Sequence, residues 1–545
     1  MSIFLSRKAI TKIQAVVVVV VVVLAAVGTY AYLGTIPKPP VTVKFAEVTW
    51  GESLDPAEGY GSSDVKYYRT MYSKMLRYER LNMSQKIEGE LAESWTVSED
   101  GLVFTLKLRQ GVTFHDGTTL NASAVKFTFE RVKALGFGPS WTHSYWNRIE
   151  TPDAYTVQIF LDKPYAPYLS SLASQWTATW VVSPTCVKAH ATSDDPWAHN
   201  WLKEQECGSG PYMLDHWTRS QELTVVKFPG YWEGWQGPHI DTVVFVQAVT
   251  ESATRRLMLE KGDLDITMDF GFSPTDKLAL GQESGMSLYK LLSLNNLYIF
   301  FNSQKEPTKN ADVRRAISYA IDYQAIVNDI MLGAATQSQG PLPRSLWGHD
   351  PNLLVYSKDP AKAAKLLDDA GYPVGKAGPG LRMELTILYW QGNEEERKDA
   401  EFVQSELAQI GIKVNISSGT YASIMDQVHG QPQLGPDMVF LYWYPDFADP
   451  DSYLSGQFLA GQLWNMGFYN DTRIDAMILA AAIETDSAKR LQQYSEIQRI
   501  LVDDAWALYL YDLGNWCVLR SWVKNYYYNP IYHDTYDFWY MYVQK

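Results

Sequence analysis

Cysteine is scarce, with only Cys186, Cys207 and Cys517 in 545 residues, too few for a small disulfide-stapled scaffold. A zinc set drawn from Cys186, His190, His199 and Cys207 has poor ligand spacing. Blocks of basic residues are missing beyond the first dozen positions, and acidic side chains outnumber basic ones 61 to 47. That balance excludes nucleic acid as a partner. The chain also lacks G-x-S-x-G, H-E-x-x-H and the phosphate loop G-x-x-x-x-G-K. An enzyme reading is left with paired carboxylates such as Asp446 and Asp449, which could serve a glycosidase but stand in a turn beside Pro450. Asp263, Asp265 and Asp269 lack the glycine and terminal glutamate of a calcium loop, so no metal or cofactor is expected.

What the chain has is length, enough for two or three domains, and aromatic residues, which make up 14% of it. Aromatic faces suit sugars or adaptable peptide pockets. Near the start, Arg7, Lys8 and Lys12 precede an apolar run over 15–33, long enough to cross a bilayer. Pro37, Pro39 and Pro40 follow it as a tether. No cysteine follows the run, so lipoprotein attachment is unavailable. The segment 1–40 is therefore expected to place the rest of the chain outside the cell, anchored to the outer face of the membrane. In that compartment Cys186 and Cys207, 21 residues apart, could form a disulfide, with Cys517 left as a buried small hydrophobe. Asn82, Asn121, Asn415 and Asn470 begin glycosylation triplets.

The most patterned stretch is 90–132. It reads as strand, turn, strand, turn and helix. Residues 94–98 end at Glu99-Asp100-Gly101, 103–108 alternates apolar and polar residues, and a second short hairpin over 112–114 closes on His115-Asp116-Gly117. Asn121 then precedes Val125, Phe129 and Val132, spaced like one face of a capped helix. The order Leu91-Ala92-Glu93-Ser94-Trp95, Asp100-Gly101, Phe114-His115-Asp116-Gly117 and Phe129-Glu130-Arg131 resembles the signature of the family 5 solute receptors of ABC transporters, which carry peptides, nickel or oligosaccharides. The resemblance implies an α/β, two-lobed periplasmic-binding-protein-like fold of type II, with an extra small domain inserted in lobe one.

The match continues along the chain. Residues 41–50 read as an opening strand, followed by the family's Leu54-Asp55-Pro56 turn and a helix over 71–78. Gly208-Ser209-Gly210-Pro211-Tyr212 resembles the family's return to lobe one. A helix over 255–261 stops at Gly262. The short buried strand 295–302 opens lobe two, whose helices (312–322, 360–371, 394–410) alternate with strands (385–390, 411–414), a pattern that argues for mostly parallel pairing. The chain recrosses near 503–511. The expected divisions are 1–40 anchor and tether; 41–88, 208–293 and 506–545 lobe one; 89–207 inserted domain; and 294–505 lobe two. Two lobes with two crossings define a hinge that closes on a ligand.

Residues 441–453, Leu-Tyr-Trp-Tyr-Pro-Asp-Phe-Ala-Asp-Pro-Asp-Ser-Tyr, resemble the family's ligand loop. In peptide-binding members the aspartate three residues after the tryptophan holds the ligand's α-ammonium; here it is Asp446. Desolvating a cation is costly unless a fixed carboxylate receives it. The bland alternative is that Asp446 and Asp449 merely cap a turn. Trp443 is expected as a flat wall, Tyr509 and Tyr511 as hinge residues facing the cleft, Trp50 as a further wall and Arg344 as a carboxylate partner. Some members carry arginine three residues before the tryptophan, where this chain has Phe440, which together with the aromatic excess keeps an oligosaccharide as the alternative cargo. Haem or nickel is a distant third, with His115 read as framework. The expected function is a monomeric receptor that delivers peptides to an ABC permease and its ATPase subunits. The order Arg7-Lys8-Ala9-Ile10 also resembles the pilin-like signal of archaeal binding proteins, which implies cleavage after Lys8; the alternative is an uncleaved signal anchor, and both place residues 41 onward outside the cell.

Overall fold

The structure, a computed structural model, describes residues 39–48, 51–80, 85–247, 249–267, 272–532 and 536–545. The apolar segment 15–33, Trp50, Asn82 and Asp269 lie outside the described residues. Among those described, residues 42–545 form one compact unit built on an eleven-stranded sheet whose strands lie between Thr42 and Arg520. Its centre is a pair of long antiparallel strands, Met286–Phe301 and Ala507–Arg520. Their register breaks between Leu292 and Asn296, and burial changes at the same place. Residues 293–301 are uniformly buried, whereas Leu292 is exposed. On the partner strand Gly514 allows a close approach, since a Cβ there would stand 2.9 Å from the Ala334 carbonyl.

On one side of this break the sheet continues through Ile266–Thr267, Thr42–Ala46, Thr242–Val246, Glu222–Lys227 and Tyr212–Thr218. On the other it continues through Met438–Trp443, Met383–Trp390 and Ile412–Gly419. The fold is two-lobed, and the two long strands carry the chain between the lobes. Mostly parallel pairing in lobe two is corrected. Met383–Trp390 pairs in parallel with both neighbours, but Met438–Trp443 runs antiparallel to Met286–Phe301. A strand that enters from the other lobe needs no helical crossover, and this frees its direction.

The expected helix over 71–78 is also corrected. The helix is Ser62–Met71, and it ends where the chain turns into the buried strand Leu76–Tyr78, paired with Ile87–Gly89. The stretch 90–132 forms the expected hairpin, Ala92–Val97 with Val103–Leu108, inside a separate four-stranded sheet. The second hairpin closes on the expected turn, with the bridge Thr113–Thr119 and backbone bonds from Phe114 N–H to the Thr118 carbonyl and from Leu120 N–H to the Val112 carbonyl, each at 2.9 Å. Helix Ala122–Leu135 starts at Asn121, whose side chain accepts from the Ala124 N–H at 3.2 Å. Cys186 and Cys207 are joined as a disulfide, and Cys517 is a buried free thiol. Gly208 and Gly210 press on the end of helix Ser62–Met71, where added Cβ atoms would stand 1.8 and 2.5 Å from Met71 backbone atoms. His115 secures the same crossing, its ring nitrogens 2.7 Å from Glu206 and 3.0 Å from the Gly210 carbonyl.

Two buried ion pairs brace turns in the two halves of the chain. Asp55, in the turn after the first strand, takes a two-pronged grip from Arg131 at 2.8 and 2.5 Å and a third contact from His199 at 2.9 Å, joining that turn to helix Ala122–Leu135. In lobe two, Asp449 receives both arms of Arg490 at 2.8 and 2.7 Å.

Candidate ligand-binding site

Asp446 follows the strand Met438–Trp443 and stands where the two lobes meet. Its Oδ1 accepts the Tyr60 hydroxyl at 2.6 Å, its backbone N–H donates to Ser452 Oγ at 2.9 Å, and its carbonyl accepts Ser174 Oγ. Tyr60 and Ser174 belong to the first half of the chain, so the loop is held from both sides. No Lys, Arg or His pairs with the Asp446 carboxylate among the described residues, and burial raises it to about 6 against the opposing bond from Tyr60. The ring of Trp176 meets Tyr60 edge-on at 5.9 Å, and Trp141 lies 6.3 Å from Phe447. A carboxylate without a counter-ion beside aromatic faces suits an ammonium group.

Asp449 and Asp451 do structural work in the same loop. Asp449 caps helix Pro450–Phe458, accepting from the Asp451 N–H at 2.9 Å, while Arg490 neutralises it. Asp451, raised to about 6 by burial and the charge of Asp449, accepts the Tyr165 hydroxyl at 2.8 Å. Turn capping thus falls to Asp449, and Asp446 remains unpaired with any cation.

A cavity of about 420 Å³ opens between the lobes over the register break. Asn295 and Leu513–Asn515 of the crossing strands form its base. Lys277 and Asp276 face it from helix Pro274–Gly281, and Glu395 and Lys398 from helix Glu394–Ala408. Tyr442 and Tyr444, alternate residues of the ligand strand and its extension, also line it. Behind that wall the Tyr442 hydroxyl bridges Glu395 at 3.2 Å and the Tyr511 hydroxyl at 3.3 Å, and Tyr511 donates to Asp399 at 2.8 Å.

Residues 86–464 match the model for bacterial extracellular solute-binding proteins, family 5 middle. The chain belongs to this family. It is 33% identical to the probable D,D-dipeptide-binding periplasmic protein DdpA of Escherichia coli over 492 residues, covering 89% of this chain and 91% of that protein. It is 30% identical to the glutathione-binding protein GsiB of Salmonella typhi, over 88% of this chain and 90% of that one. Among solved structures it resembles the ABC transporter-associated periplasmic binding protein DppA of Helicobacter pylori in complex with the peptide STSA. That likeness has a TM-score of 0.74 and 26% identity, covering 93% of this chain and 99% of that one.

Several side chains expected at the ligand of this family 5 protein stand elsewhere. Phe440 is fully buried in the lobe-two core, paired opposite Ile299 in the sheet, its carbonyl accepting from Trp390 Nε1 at 3.1 Å. Trp443 is buried against Gly456 and edge-on to Trp464 at 6.1 Å. Tyr509 packs on Tyr298 within the core, and Tyr511 acts through Tyr442 without lining the cavity. Arg344 is exposed, its backbone N–H donating to Asp512 at 3.0 Å, and it does not line the cavity. These are corrections. On the strand Met438–Trp443 neighbouring side chains point to opposite faces, which accounts for Trp443; Phe440 shares the face of Tyr442 but lies deeper along the strand, inside the lobe-two core. Trp443 therefore turns into the core when Tyr442 and Tyr444 reach the cavity. The sequence reading missed Tyr60, Asn295, Lys277, Glu395 and Lys398. Only Tyr60 carried a local signal, its flanking glycines Gly59 and Gly61; a Cβ on Gly59 would fall 1.9 Å from the Tyr68 hydroxyl.

Proposed function

We propose that this chain is the extracytoplasmic receptor of an ABC importer, capturing peptides with a free amino terminus between its lobes and delivering them to a membrane permease and its ATPase. The observation that carries this is the Asp446 carboxylate, without a basic partner among the described residues, whose loop is held by Tyr60 and Ser174 from the first half of the chain and by Ser452 from lobe two. Relatives described as binding D,D-dipeptides and glutathione, and a related structure holding a peptide, support the peptide class. An oligosaccharide loses its main support, because Phe440 and much of the aromatic excess are spent in the cores. No covalent step enters this reading. The lobe boundaries we assign are 41–88, 208–293 and 506–545 for lobe one, 89–207 for the insertion and 294–505 for lobe two.

Titration calorimetry of the full chain with L-Ala-L-Ala, D-Ala-D-Ala and their N-acetyl forms tests the reading. Binding of a free dipeptide with loss of binding on acetylation is the expected result. Equal binding of free and acetylated forms removes Asp446 as an ammonium anchor. For the amino-terminal segment we assign an archaeal-type signal cleaved after Lys8, leaving the apolar run as an anchor; among the described residues no helix is long and apolar enough to cross a membrane. Intact mass of membrane-extracted protein checks this, and a mature chain beginning near Val41 would overturn it.

A further inference from the structure

The cavity over the crossing strands is walled by acceptors that the described residues leave wholly or partly unsatisfied. Asn295 is 5% exposed and lines it, yet its Oδ1 has no hydrogen-bond partner. Glu395 lines the same cavity, is half-buried, and accepts only the Tyr442 hydroxyl among the described residues, with no ion pair. Directly behind it Glu396 and Asp399 are fully buried, and each leaves one carboxylate oxygen without a partner. Their other oxygens take the Trp390 N–H at 2.8 Å and the Tyr511 hydroxyl at 2.8 Å, so neither meets a basic side chain. Burial, with repulsion from Asp399 and Glu395, raises Glu396 to about 8, and burial, with repulsion from Glu395, raises Asp399 to about 7, as expected of carboxylates that lack a counter-ion.

The sign of the field follows from what faces the cavity. A helix start alone presents a partial positive charge of about half a unit and favours anions. Helix Glu394–Ala408 places Glu395 in its first turn facing the cavity, and this unpaired carboxylate opposes that sign, whereas Glu396, raised to about 8, is largely protonated at neutral pH and adds little charge. Glu394 is already engaged by Arg397, and Asp276 caps its own helix through Ser273. Two cations also line the cavity, Lys277, half-buried, and Lys398, exposed. Both sit on long flexible stems that can carry the ammonium out to water, whereas Glu395 is tethered through Tyr442 and Tyr511 to the hinge strand.

We propose that this cavity receives a cationic group of the bound solute, a basic side chain ending in an ammonium or guanidinium, with Glu395 as counter-ion and Asn295 Oδ1 as second acceptor. The assignment rests on the peptide reading above and adds to it a preference for peptides with a basic residue. Asp446 then holds the α-ammonium and Glu395 the side-chain cation, and each lobe's closure is rewarded by burying a paired charge.

The test is calorimetric titration of the full chain with Ala-Ala, Ala-Lys, Lys-Ala, Ala-norleucine and Ala-Glu, in the configuration, L or D, in which the alanine dipeptide binds. Norleucine matches the lysine stem without its charge. One of the lysine peptides is expected to bind at least about tenfold tighter than Ala-norleucine, the scale of a charge-assisted hydrogen bond in a partly desolvated site. In Glu395→Gln that ratio is expected to fall close to one, while Glu395→Asp, which keeps the charge, retains a preference. If Ala-norleucine or Ala-Glu binds as well as both lysine peptides, or the ratio survives in Glu395→Gln, the cationic subsite is overturned and the peptide reading stands. If no dipeptide in either configuration binds, both fall together.

Discussion

The Tyr60 hydroxyl reaches across the meeting of the two lobes and donates to Asp446 Oδ1 at 2.6 Å. Burial holds the Asp446 carboxyl up to about 6, so below that pH the group is neutral and cannot pair with an ammonium. A peptide's amino group stays protonated up to about pH 8. Affinity for free dipeptides is therefore expected to be flat from about pH 6.5 to 7.5 and to fall towards tenfold per pH unit well below 6, as the carboxylate is lost. Calorimetry between pH 4.5 and 7.5 checks it. In Tyr60→Phe, which removes a bond that lowers the Asp446 carboxyl, the fall is expected to begin at higher pH. A pH-independent affinity would remove Asp446 from the ligand.

The same carboxylate weakens the empty protein. Its folded value, about 6, lies above its ordinary 3.8, so the protonated form is favoured by folding. That contribution is complete below 3.8 and is lost as pH rises through about 6. Asp446→Asn keeps the neutral shape at every pH. The melting temperature of the variant relative to the parent is expected to rise between pH 4 and 7.5 while peptide binding is lost, a stability gained at the expense of function. Melting curves without ligand at the two pH values decide it, and no difference between them would count against an uncompensated buried charge.

Much of this architecture is legible in the sequence because local chemistry dictates it. Asn121 before an apolar face starts a helix, Gly262 ends one in the left-handed conformation at φ 81°, and Asp100-Gly101 turns a hairpin. The ligand loop is also legible, since Asp446 and Asp449 sit in a short contiguous run. The cavity is not. Asn295, Lys277 and Glu395 are more than a hundred residues apart at the extremes and are assembled only by the sheet. Trp443 looks like a ligand wall in the sequence because aromatic residues serve cores and pockets equally, and strand register decides which face it takes. The helix misplaced over 71–78 has a similar origin: a short buried strand and a helix segment share the same apolar density, and only the neighbouring strand Ile87–Gly89 resolves them.

Asp55 and Arg131 predict a sharp acid dependence. Arg131 and His199 hold the buried Asp55 carboxyl below its ordinary 3.8 despite the cost of burial. A lowered value means that the stabilisation is present above 3.8 and disappears as pH falls through the lower folded value. Replacing Arg131 by methionine leaves the buried carboxylate with His199 as its basic contact and the Ala57 N–H as a further donor, and breaking a buried pair in this way costs about 3–5 kcal/mol. The double variant Asp55→Asn/Arg131→Met removes the stranded charge and is expected to recover most of that loss. Urea unfolding of the three proteins at pH 7 measures the recovery; a double variant no better than the single would show that packing, not charge, dominates here.

Arg490 and Asp449 make the corresponding prediction for the ligand loop, with binding as a second readout. Both arms of the guanidinium lie on the Asp449 carboxylate, which also caps helix Pro450–Phe458, and Asp446 precedes that cap by three residues. Loosening the cap therefore loosens the anchor. Arg490→Lys keeps the charge but loses the planar fork that meets both oxygens at once. It is expected to lower stability by less than Arg490→Ala, whose cost is about 3–5 kcal/mol for the uncompensated aspartate, yet still to weaken dipeptide binding because the loop is no longer fixed in two directions. Binding energy that depends on a preorganised carboxylate falls when the carboxylate must be ordered by the ligand itself. Calorimetry on the lysine variant, at a temperature where it is fully folded, separates the two effects. Unchanged affinity would show that Ser452 and Ser174 suffice to hold Asp446, and that the Arg490 pair serves the fold of lobe two alone.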